Sequence, residues 1–475
     1  MDLLMFRSAM VLCITLCLTA CGNNTPGVAL QVQSSADTPI LIRNVSVFYP
    51  SQLQLIPAQD VLIKDGKIHQ IETTDSLTAP IDASIIEAQG QTLLPGLIDM
   101  HAHINIPTGP PWEFAFPDPE ANLRAYLYAG VTTVFDPGDS SDDAYERRAA
   151  TADGSLLGPR IYTAGRIVTH PHGHPRTRIQ ELAPWWIRWY LEPRIGSPVA
   201  NENQAQAVVN DRAGAGADAI KIVIDQIPLD AASLNTELSS AIVKQATQRG
   251  LRAVAHIGTT SDAIAAADAG VAMWIHGVYK ERIPDELISK LVAYNIPMIP
   301  TSEVFDRYGR TTLGPITPTK LERETVPQSV LTSFYPLPAD FDPGPFRSWG
   351  ELMASTIDVR RDNVARLHQA GMLLFAGSDA QSGVFPGASL HRELNTLVSA
   401  GMSPAEVIRS ATSDPAQYLT QSMSPKFGVM RVGAQADLLL VDGDPTQDIR
   451  QLAEIREVII GGRRIKRQAV TNPTP

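Results

Sequence analysis

Cysteine is nearly absent from this chain. Its 475 residues include only three cysteines, all within the first 21 positions (Cys13, Cys17 and Cys21). The rest of the chain therefore has neither a disulfide framework nor a thiol nucleophile. Runs of basic residues are also absent, and the net charge of −11 argues against nucleic acid as the main partner. A composition with 44% hydrophobic and 19% charged residues excludes global disorder and is sufficient for a sizeable core.

The one apolar run that concerns a membrane is residues 10–20, near the N-terminus. It has the length of the apolar region of a signal peptide and is short for a spanning helix. The sequence from Leu18 to Gly22, LTACG, resembles a bacterial lipobox. The alternative is an ordinary signal peptide with a chance cysteine. The resemblance implies a signal peptide over 1–20, a lipid on Cys21, a polar tether over 21–37, and an exported protein anchored at the cell envelope, in the periplasm or at the outer membrane.

Both ends of the remaining chain have the pattern of β-strands. Residues 40–48 alternate between apolar and polar positions, and Asp65 and Gly66 form a hairpin turn signal between two apolar arms. Residues 436–442 and 457–463 repeat this pattern near the C-terminus. We therefore expect residues 38–93 and 424–466 to pair into one β-sandwich-like composite domain. Residues 467–475 would follow it as a short C-terminal tail.

The middle of the chain, residues 94–423, alternates short apolar strands with helical stretches. This pattern predicts an α/β fold, a (β/α)₈ TIM barrel, with a doubly wound open sheet as the alternative. Two of the expected helices cover 261–269 and 351–369. The eight expected strands lie around residues 97–104, 132–136, 160–164, 219–224, 252–257, 273–276, 297–301 and 373–379.

Two connections in this region are long, and long connections often serve as lids or binding loops. Residues 303–345 carry seven prolines and little periodicity. Residues 165–215 hold three groups of candidate side chains. His170, His172 and His174 are substrate contacts, an adventitious metal site or solvated residues, and Arg176 and Arg178 bind a substrate carboxylate or are merely exposed. The aromatics of 185–190 form an apolar subsite, touch a membrane or pack beneath the loop. The remaining histidines of the body are interpreted as structural (His69, His368 and His391).

Metal-type ligands lie in or at the ends of five of the expected strands. His101 and His103 are two residues apart, so both imidazoles point to the same face of a strand. Lys221 lies within an apolar strand, where an unpaired ammonium is costly, and an edge strand reaching solvent is the alternative. One further ligand type ends each of three later strands (His256, His276 and Asp379). Four histidines, a lysine and a carboxylate in this pattern predict a metal site.

These motifs strongly resemble the amidohydrolase superfamily. Its first-strand signature is matched by Leu94–Asp99 followed by His101 and His103, and the other ligands fall on the fourth, fifth, sixth and eighth strands. Further matches are GVTTV at 130–134, GAQADLLLV at 433–441, and Gly461 with Gly462. The resemblance covers about residues 40–466, and it is closest to prolidase-like and imidazolonepropionase-like members. It implies two divalent metal ions, with Zn²⁺ preferred and Mn²⁺, Co²⁺ or Fe²⁺ as alternatives. His101, His103 and Asp379 would hold the first ion, and His256 and His276 the second. A carbamate made from CO₂ on Lys221 would bridge them.

The resemblance also implies a reaction. Hydroxide generated between the metals attacks a carbonyl, and Asp379 moves a proton from the water to the leaving group. Tyr279 matches a position where prolidase-like members hold a tyrosine near the substrate. We expect hydrolysis of amide C–N bonds in small molecules such as dipeptides or N-acyl amino acids. The alternatives are a lactonase or esterase, a cyclic-amide hydrolase or deaminase, and a non-catalytic binding lipoprotein; a homo-oligomer is left open.

Overall fold

The structure is a computed structural model that describes residues 27–113, 115–141, 143–310 and 315–470. The expected signal peptide over 1–20 and the expected lipidation site Cys21 lie outside the described residues. Among the described residues, no helix combines the length and the apolar character that crossing a membrane requires.

The strands of the described chain, in sequence order, are β1 (Ala29–Val32), β2 (Ile40–Tyr49), β3 (Gln54–Lys64), β4 (Lys67–Thr73), β5 (Ser84–Glu87), β6 (Gln91–Pro95), β7 (Leu97–Asp99), β8 (Val131–Asp136), β9 (Arg160–Thr163), β10 (Val168–Thr169), β11 (Ser197–Pro198), β12 (Ala219–Val223), β13 (Arg252–His256), β14 (Met273–Ile275), β15 (Met298–Ile299), β16 (Leu438–Asp442), β17 (Ile455–Ile460) and β18 (Arg463–Gln468).

The α-helices of the same ranges are α1 (Pro119–Tyr128), α2 (Ala144–Asp153), α3 (Arg176–Leu182), α4 (Arg188–Ile195), α5 (Glu202–Gly214), α6 (Thr236–Gln248), α7 (Thr260–Asp268), α8 (Asp285–Ala293), α9 (Ser302–Arg310), α10 (Lys320–Thr325), α11 (Gln328–Ser333), α12 (Arg347–Ser355), α13 (Ile357–Gln369), α14 (Ala388–Ser399), α15 (Pro404–Ser410) and α16 (Ser413–Thr420).

Strands from both ends of the chain form one nine-stranded sheet. Its order is β1-β18-β17-β16-β6-β2-β3-β4, with β5 paired to β2. The predicted hairpin turn is present, since Asp65 and Gly66 join β3 to β4 with φ values of 52° and 71°. Part of the expected tether is instead a strand, because Ala29–Val32 pairs antiparallel with β18. β18 also runs to Gln468, beyond the expected start of the tail at 467.

Strand β16 shows how this sheet is held on both faces. Leu438 and Leu440 point into an apolar cluster within the sheet domain, whereas Leu439 and Val441 point into the main core shared with the helices. The period of two in a strand sends alternate side chains to opposite faces. Because burying each such side chain contributes about 1.5–3 kcal/mol, this strand is fixed between two cores.

The middle of the chain is an α/β fold with parallel strands. One parallel sheet has the order β7-β8-β9 and the other β11-β10-β12-β13-β14-β15. The first seven predicted strands are confirmed, and the eighth takes part through a parallel bridge between Met298 and Leu374. A backbone hydrogen bond from Asp218 N to Thr163 O, 2.8 Å long, connects the residue before β12 to β9. Another, from Met100 N to Ala376 O at 3.0 Å, connects the residue after β7 to the eighth strand segment.

The long connections contain more secondary structure than the sequence pattern indicated. Residues 165–215 hold α3, α4 and α5, and residues 303–345 hold most of α9 together with α10 and α11. The single helix expected over 351–369 is two helices that meet at Thr356. The Thr356 hydroxyl bonds back to the Leu352 carbonyl, and such back-bonding bends helices.

Candidate metal centre

The predicted ligands converge at the ends of the parallel strands. The ring centroids of His256 and His276 are 4.0 Å apart, those of His101 and His276 are 4.8 Å apart, and those of His101 and His103 are 5.1 Å apart. All of these side chains are buried except that of His103, which is half-buried. Four imidazoles from three separate strand ends therefore form one cluster.

Asp379 completes one end of this cluster. Its Oδ1 atom lies 3.4 Å from His101 Nε2 and 3.1 Å from His103 Nε2. One ligand atom from each of the three residues lies within 4.8 Å of the others. The Nδ1 atom of His101 is buried without a hydrogen-bond partner, and that of His103 lies 3.4 Å from Asp136 Oδ1. Two imidazoles and a carboxylate with donor atoms this close fit a divalent cation such as Zn²⁺.

Lys221 is a buried amine in the middle of β12. Burial lowers its pKa to about 7, and the charges of Asp379 and Asp136 oppose that shift. Among the residues that the structure describes, no carboxylate lies within 4.0 Å of its Nζ atom. An amine in this position is expensive as an ammonium ion, which explains why its pKa is lowered.

The imidazoles differ in charge. Burial would lower the pKa of His103, but its contacts with the carboxylates of Asp136 and Asp379 outweigh burial and raise the pKa to about 9. Burial, together with neighbouring positive charges, holds the pKa of each of the other three well below its usual range (His101, His256 and His276). Neutral imidazoles keep the lone pair that a metal requires.

Asp225 is a site residue that sequence reasoning missed. It lies two residues beyond β12, is fully buried, and its Oδ2 atom is 3.1 Å from His256 Nε2. It also accepts hydrogen bonds from the Tyr279 hydroxyl and the Lys280 ammonium. The carboxylate fits here because residue 258 is glycine: a Cβ there would lie 2.4 Å from Asp225 Oδ1. The available signal was a carboxylate just beyond a strand end.

Asp136 and Thr301 were missed as well. Asp136 is the last residue of β8, lies 3.4 Å from His103 Nδ1 and accepts a hydrogen bond from Ile104 N at 3.0 Å. Thr301 follows β15, and its hydroxyl is 2.5 Å from His276 Nδ1. Such partners fix the ring orientation of metal-binding histidines and leave the other nitrogen facing the metal.

Tyr279 lies against the His256–Asp225 pair. Its hydroxyl donates to Asp225 and accepts from Trp349 Nε1 at 3.4 Å. Its ring stacks on Phe305 with centroids 3.8 Å apart. Burial and the neighbouring Asp225 raise the pKa of the phenol well above its usual value, so it remains a hydrogen-bond donor. Its predicted role near the substrate stays a prediction.

The three loop histidines are not equivalent. The His174 ring lies 5.4 Å from that of His256, and burial of its Nδ1 atom, together with the charge of Arg178, lowers its pKa to about 3. His170 and His172 instead contact each other, with centroids 6.0 Å apart. Of the three predicted substrate contacts, the structure therefore brings His174 to the cluster.

The two arginines and the aromatic side chains of this loop also differ in their surroundings. Arg176 forms an ion pair with Glu192 at 2.6 Å, whereas Arg178 reaches Gln381. Trp185 and Trp189 do not pack beneath the loop, because they are 83% and 74% exposed.

The histidines interpreted as structural have contacts of their own. His391 Nε2 lies 2.8 Å from the carbonyl of Ala129, and His368 Nε2 is 3.8 Å from a carboxylate oxygen of Glu406. His69 is an exposed residue of β4.

Comparison with known proteins finds several similar enzymes. The chain is 38% identical over 94 residues to adenine deaminase 2 from Shouchella clausii, a match that spans 20% of this chain and only 15% of that relative. A solved amidohydrolase structure is 25% identical with a TM-score of 0.72, covering 90% of this chain and 98% of that one. A prolidase complexed with N-methylphosphonate-L-proline is 22% identical with a TM-score of 0.73, covering 91% and 100%, and shows a shared fold.

The family model described as "Amidohydrolase family" matches residues 92–465, which is well over half of the sequence. The match includes every strand end that carries a predicted ligand. The chain therefore belongs to the amidohydrolase family, whose name denotes hydrolysis of carbon–nitrogen bonds.

Proposed function

We propose that this protein is a binuclear metal-dependent hydrolase of amide C–N bonds in small molecules such as dipeptides or N-acyl amino acids. The observation that carries the proposal is the cluster of four imidazoles and a carboxylate beside the buried Lys221, which has no carboxylate within 4.0 Å among the described residues. The parallel strands and the hydrogen bonds that link their two sheets support a closed (β/α)₈ barrel. Active sites of such barrels lie at the carboxyl ends of the strands, where this cluster is found.

In this proposal His101, His103 and Asp379 hold one metal ion, and His256 and His276 hold the other. Zn²⁺ suits these ligands best, with Mn²⁺, Co²⁺ or Fe²⁺ as alternatives. When bound, the ions supply a water of lowered pKa and polarise the substrate carbonyl.

As a carbamate, Lys221 would supply oxygen ligands to both ions. Its neutral amine attacks CO₂, a C–N bond forms, and one proton leaves to solvent. The product is anionic and offers oxygen ligands where an ammonium would be repelled. The burial that lowers the pKa of Lys221 to about 7 supports this step, because only the neutral amine has a nucleophilic lone pair.

Asp379 moves the proton of the reaction. Burial opposes its ionisation, but the hydrogen bond from His103 and nearby positive charges lower its pKa, so it is a carboxylate that can accept a proton. Gln381 Nε2 donates to Oδ2 at 3.0 Å and fixes its orientation. Asp379 then gives the proton to the departing amine, which leaves as a neutral molecule.

Other carbonyl substrates fit the same ligands, and the deaminase alternative has one specific support. The 94-residue match to adenine deaminase 2 favours it, but the match covers little of either chain. A lactonase, an esterase or a cyclic-amide hydrolase would use the same residues, since loops determine specificity in this architecture.

The first test is the metal content per chain of the gently purified protein, by elemental analysis, followed by a library of dipeptides, N-acyl amino acids, cyclic amides and lactones. About two metals and turnover of linear amides are expected. About one metal would favour a mononuclear deaminase or cyclic-amide hydrolase. No metal after reconstitution with Zn²⁺ or Mn²⁺ and bicarbonate would refute the enzyme and favour a binding protein.

We also propose that a lipid on Cys21 anchors the protein in the bacterial envelope after export. The LTACG sequence supports this, and the exposed Trp185 and Trp189 are compatible with a nearby membrane surface. Mass spectrometry of the N-terminal peptide should find a diacylglyceryl group on Cys21. A Cys21→Ser variant should move from the membrane fraction to the soluble fraction; identical fractionation would contradict the anchor.

A further inference from the structure

We propose that Arg178 binds a free carboxylate of the substrate, so that the enzyme selects linear amides whose amine portion carries that group. The inference rests on the proposed function and narrows its substrate class. It names one residue of the long connection after β9 as the determinant of specificity.

Arg178 lies one side chain away from the proposed proton carrier. It belongs to α3, and its Nη1 atom donates to Gln381 Oε1 at 2.7 Å. Gln381 Nε2 in turn donates to Asp379 Oδ2 at 3.0 Å. A single amide group therefore separates the guanidinium from Asp379. The charge of Arg178 also reaches His174, whose ring is 5.4 Å from His256. The guanidinium thus lies beside the mouth of the metal centre.

Among the residues that the structure describes, this guanidinium has no acidic partner, unlike that of Arg176. Arg176, two residues earlier, pairs with Glu192 at 2.6 Å. Within the described ranges, no carboxylate oxygen lies within 4.0 Å of the half-buried Arg178 guanidinium. Its partner Gln381 is neutral and also accepts from the Tyr308 hydroxyl at 2.7 Å.

A half-buried guanidinium without an anion has donors to spare in a planar fork, which matches a carboxylate in bidentate geometry. In a dipeptide or an N-acyl amino acid, the carboxylate is attached one carbon beyond the scissile nitrogen. Simple lactones, unsubstituted cyclic amides and purine bases have no such group. The arrangement therefore favours linear, carboxylate-bearing substrates over these alternatives.

The test compares a panel of N-acetyl-L-amino acids with their C-terminal carboxamides, which differ only in this charge. Wild-type protein should prefer the carboxylates by about 10- to 100-fold in kcat/KM, the range of one charged hydrogen-bonded contact. In Arg178→Met the ratio of the two kcat/KM values should fall to about one, and any loss through the Gln381 contact to Asp379 should be common to both substrate series. Arg176→Met is the matched control and should keep the preference. An equal loss on both substrate series in Arg178→Met, or no preference in the wild type, would overturn the inference.

A binding measurement separates this inference from the proposed function. Titration calorimetry of metal-loaded protein with L-amino acids and with their amides should show binding of the acids that Arg178→Met abolishes. If no amide is hydrolysed yet this binding is present, the hydrolase proposal fails and the carboxylate site stands. If amides are hydrolysed but the acids and amides bind alike, the carboxylate site is refuted and the hydrolase stands. Unaltered metal content and circular dichroism confirm that the variant is folded.

Discussion

Replacing Asp225 by Asn tests whether this carboxylate holds His256 in the orientation that binds metal. Its Oδ2 atom accepts from His256 Nε2 and from the Tyr279 hydroxyl, and its Oδ1 atom accepts from the Lys280 ammonium. Asparagine has the same shape but only one oxygen. Either orientation of its amide therefore places an N–H group against at least one of the three donors.

The size of the effect follows from these contacts. A buried donor that loses its acceptor costs about 1–3 kcal/mol. The Lys280–Asp225 side chains are only 9% and 0% exposed, so the ion pair is poorly screened, and removing one partner of such a pair costs about 3–5 kcal/mol. Because Asn retains one acceptor, we expect the free energy of unfolding to fall by about 3 kcal/mol.

The same substitution should weaken metal binding. With Asp225 accepting from Nε2, His256 keeps its lone pair on Nδ1 for the metal. The Lys280 ammonium attracts the amide oxygen to the Oδ1 position, so the amide N–H faces Nε2 and favours the opposite tautomer, in which Nδ1 carries the proton. Outer partners of this kind change metal affinity by about 10- to 100-fold.

Urea unfolding of the metal-free protein and a chelator-competition titration with Zn²⁺ measure the two effects. Glu322→Gln is the matched control, because Glu322 is also fully buried and pairs with Arg307 at 3.1 Å and with Arg392 at 2.5 Å. The control should lose stability and keep its metal affinity. If Asp225→Asn binds both metals as tightly as the wild type, the tautomer argument is wrong.

Three further predictions concern the same centre. Asp379→Asn should keep most of its metal and lose about 10²- to 10⁴-fold in kcat; wild-type turnover would remove its proton-transfer role. Lys221→Ala should bind about one metal per chain by elemental analysis, and wild-type protein reconstituted without CO₂ should behave alike; two tightly bound metals in the variant would disprove the bridge. In Gly258→Ala the new Cβ would lie 2.4 Å from Asp225 Oδ1. This variant should lose about 1–3 kcal/mol of stability in urea unfolding and should bind Zn²⁺ more weakly. Gly350→Ala is the control, because a Cβ there meets nothing within 4 Å, and it should keep both its stability and its Zn²⁺ affinity.

The parallel strands and the main side chains of the cluster could be predicted because both depend on local patterns. Apolar segments identified the strands, and a polar residue at a strand end identified a candidate ligand. The same rule applies to Asp136, which ends β8, and to Asp225, which follows β12 by two residues. Their pairing with particular histidines could not be derived, because it depends on contacts between strands, such as the close approach of Asp225 to Gly258.

Two helices of the second long connection, residues 303–345, were missed for a different reason. Helices α10 and α11 have six residues each, which is too short for a period of 3.6 to stand out, and prolines interrupt the segment. One local signal was available: Thr319 and Glu322 form a capping box at the start of α10. Glu322 is also buried against Arg392 of α14, so tertiary contacts stabilise a helix that its length alone would not.

The conformation of the ligands is the part that depends most on the folded chain. His276, Thr301 and Asp379 follow neighbouring strand segments with φ values of 70°, 47° and 51°. The left-handed region costs a non-glycine residue about 1–3 kcal/mol and is a marked outlier for a β-branched threonine. Here it is held by contacts between strand ends, from the Thr301 hydroxyl to His276 Nδ1 at 2.5 Å and from Asp379 N to His101 O at 2.6 Å. Residue spacing therefore locates the side chains of the cluster, whereas their orientation requires partners that are distant in sequence.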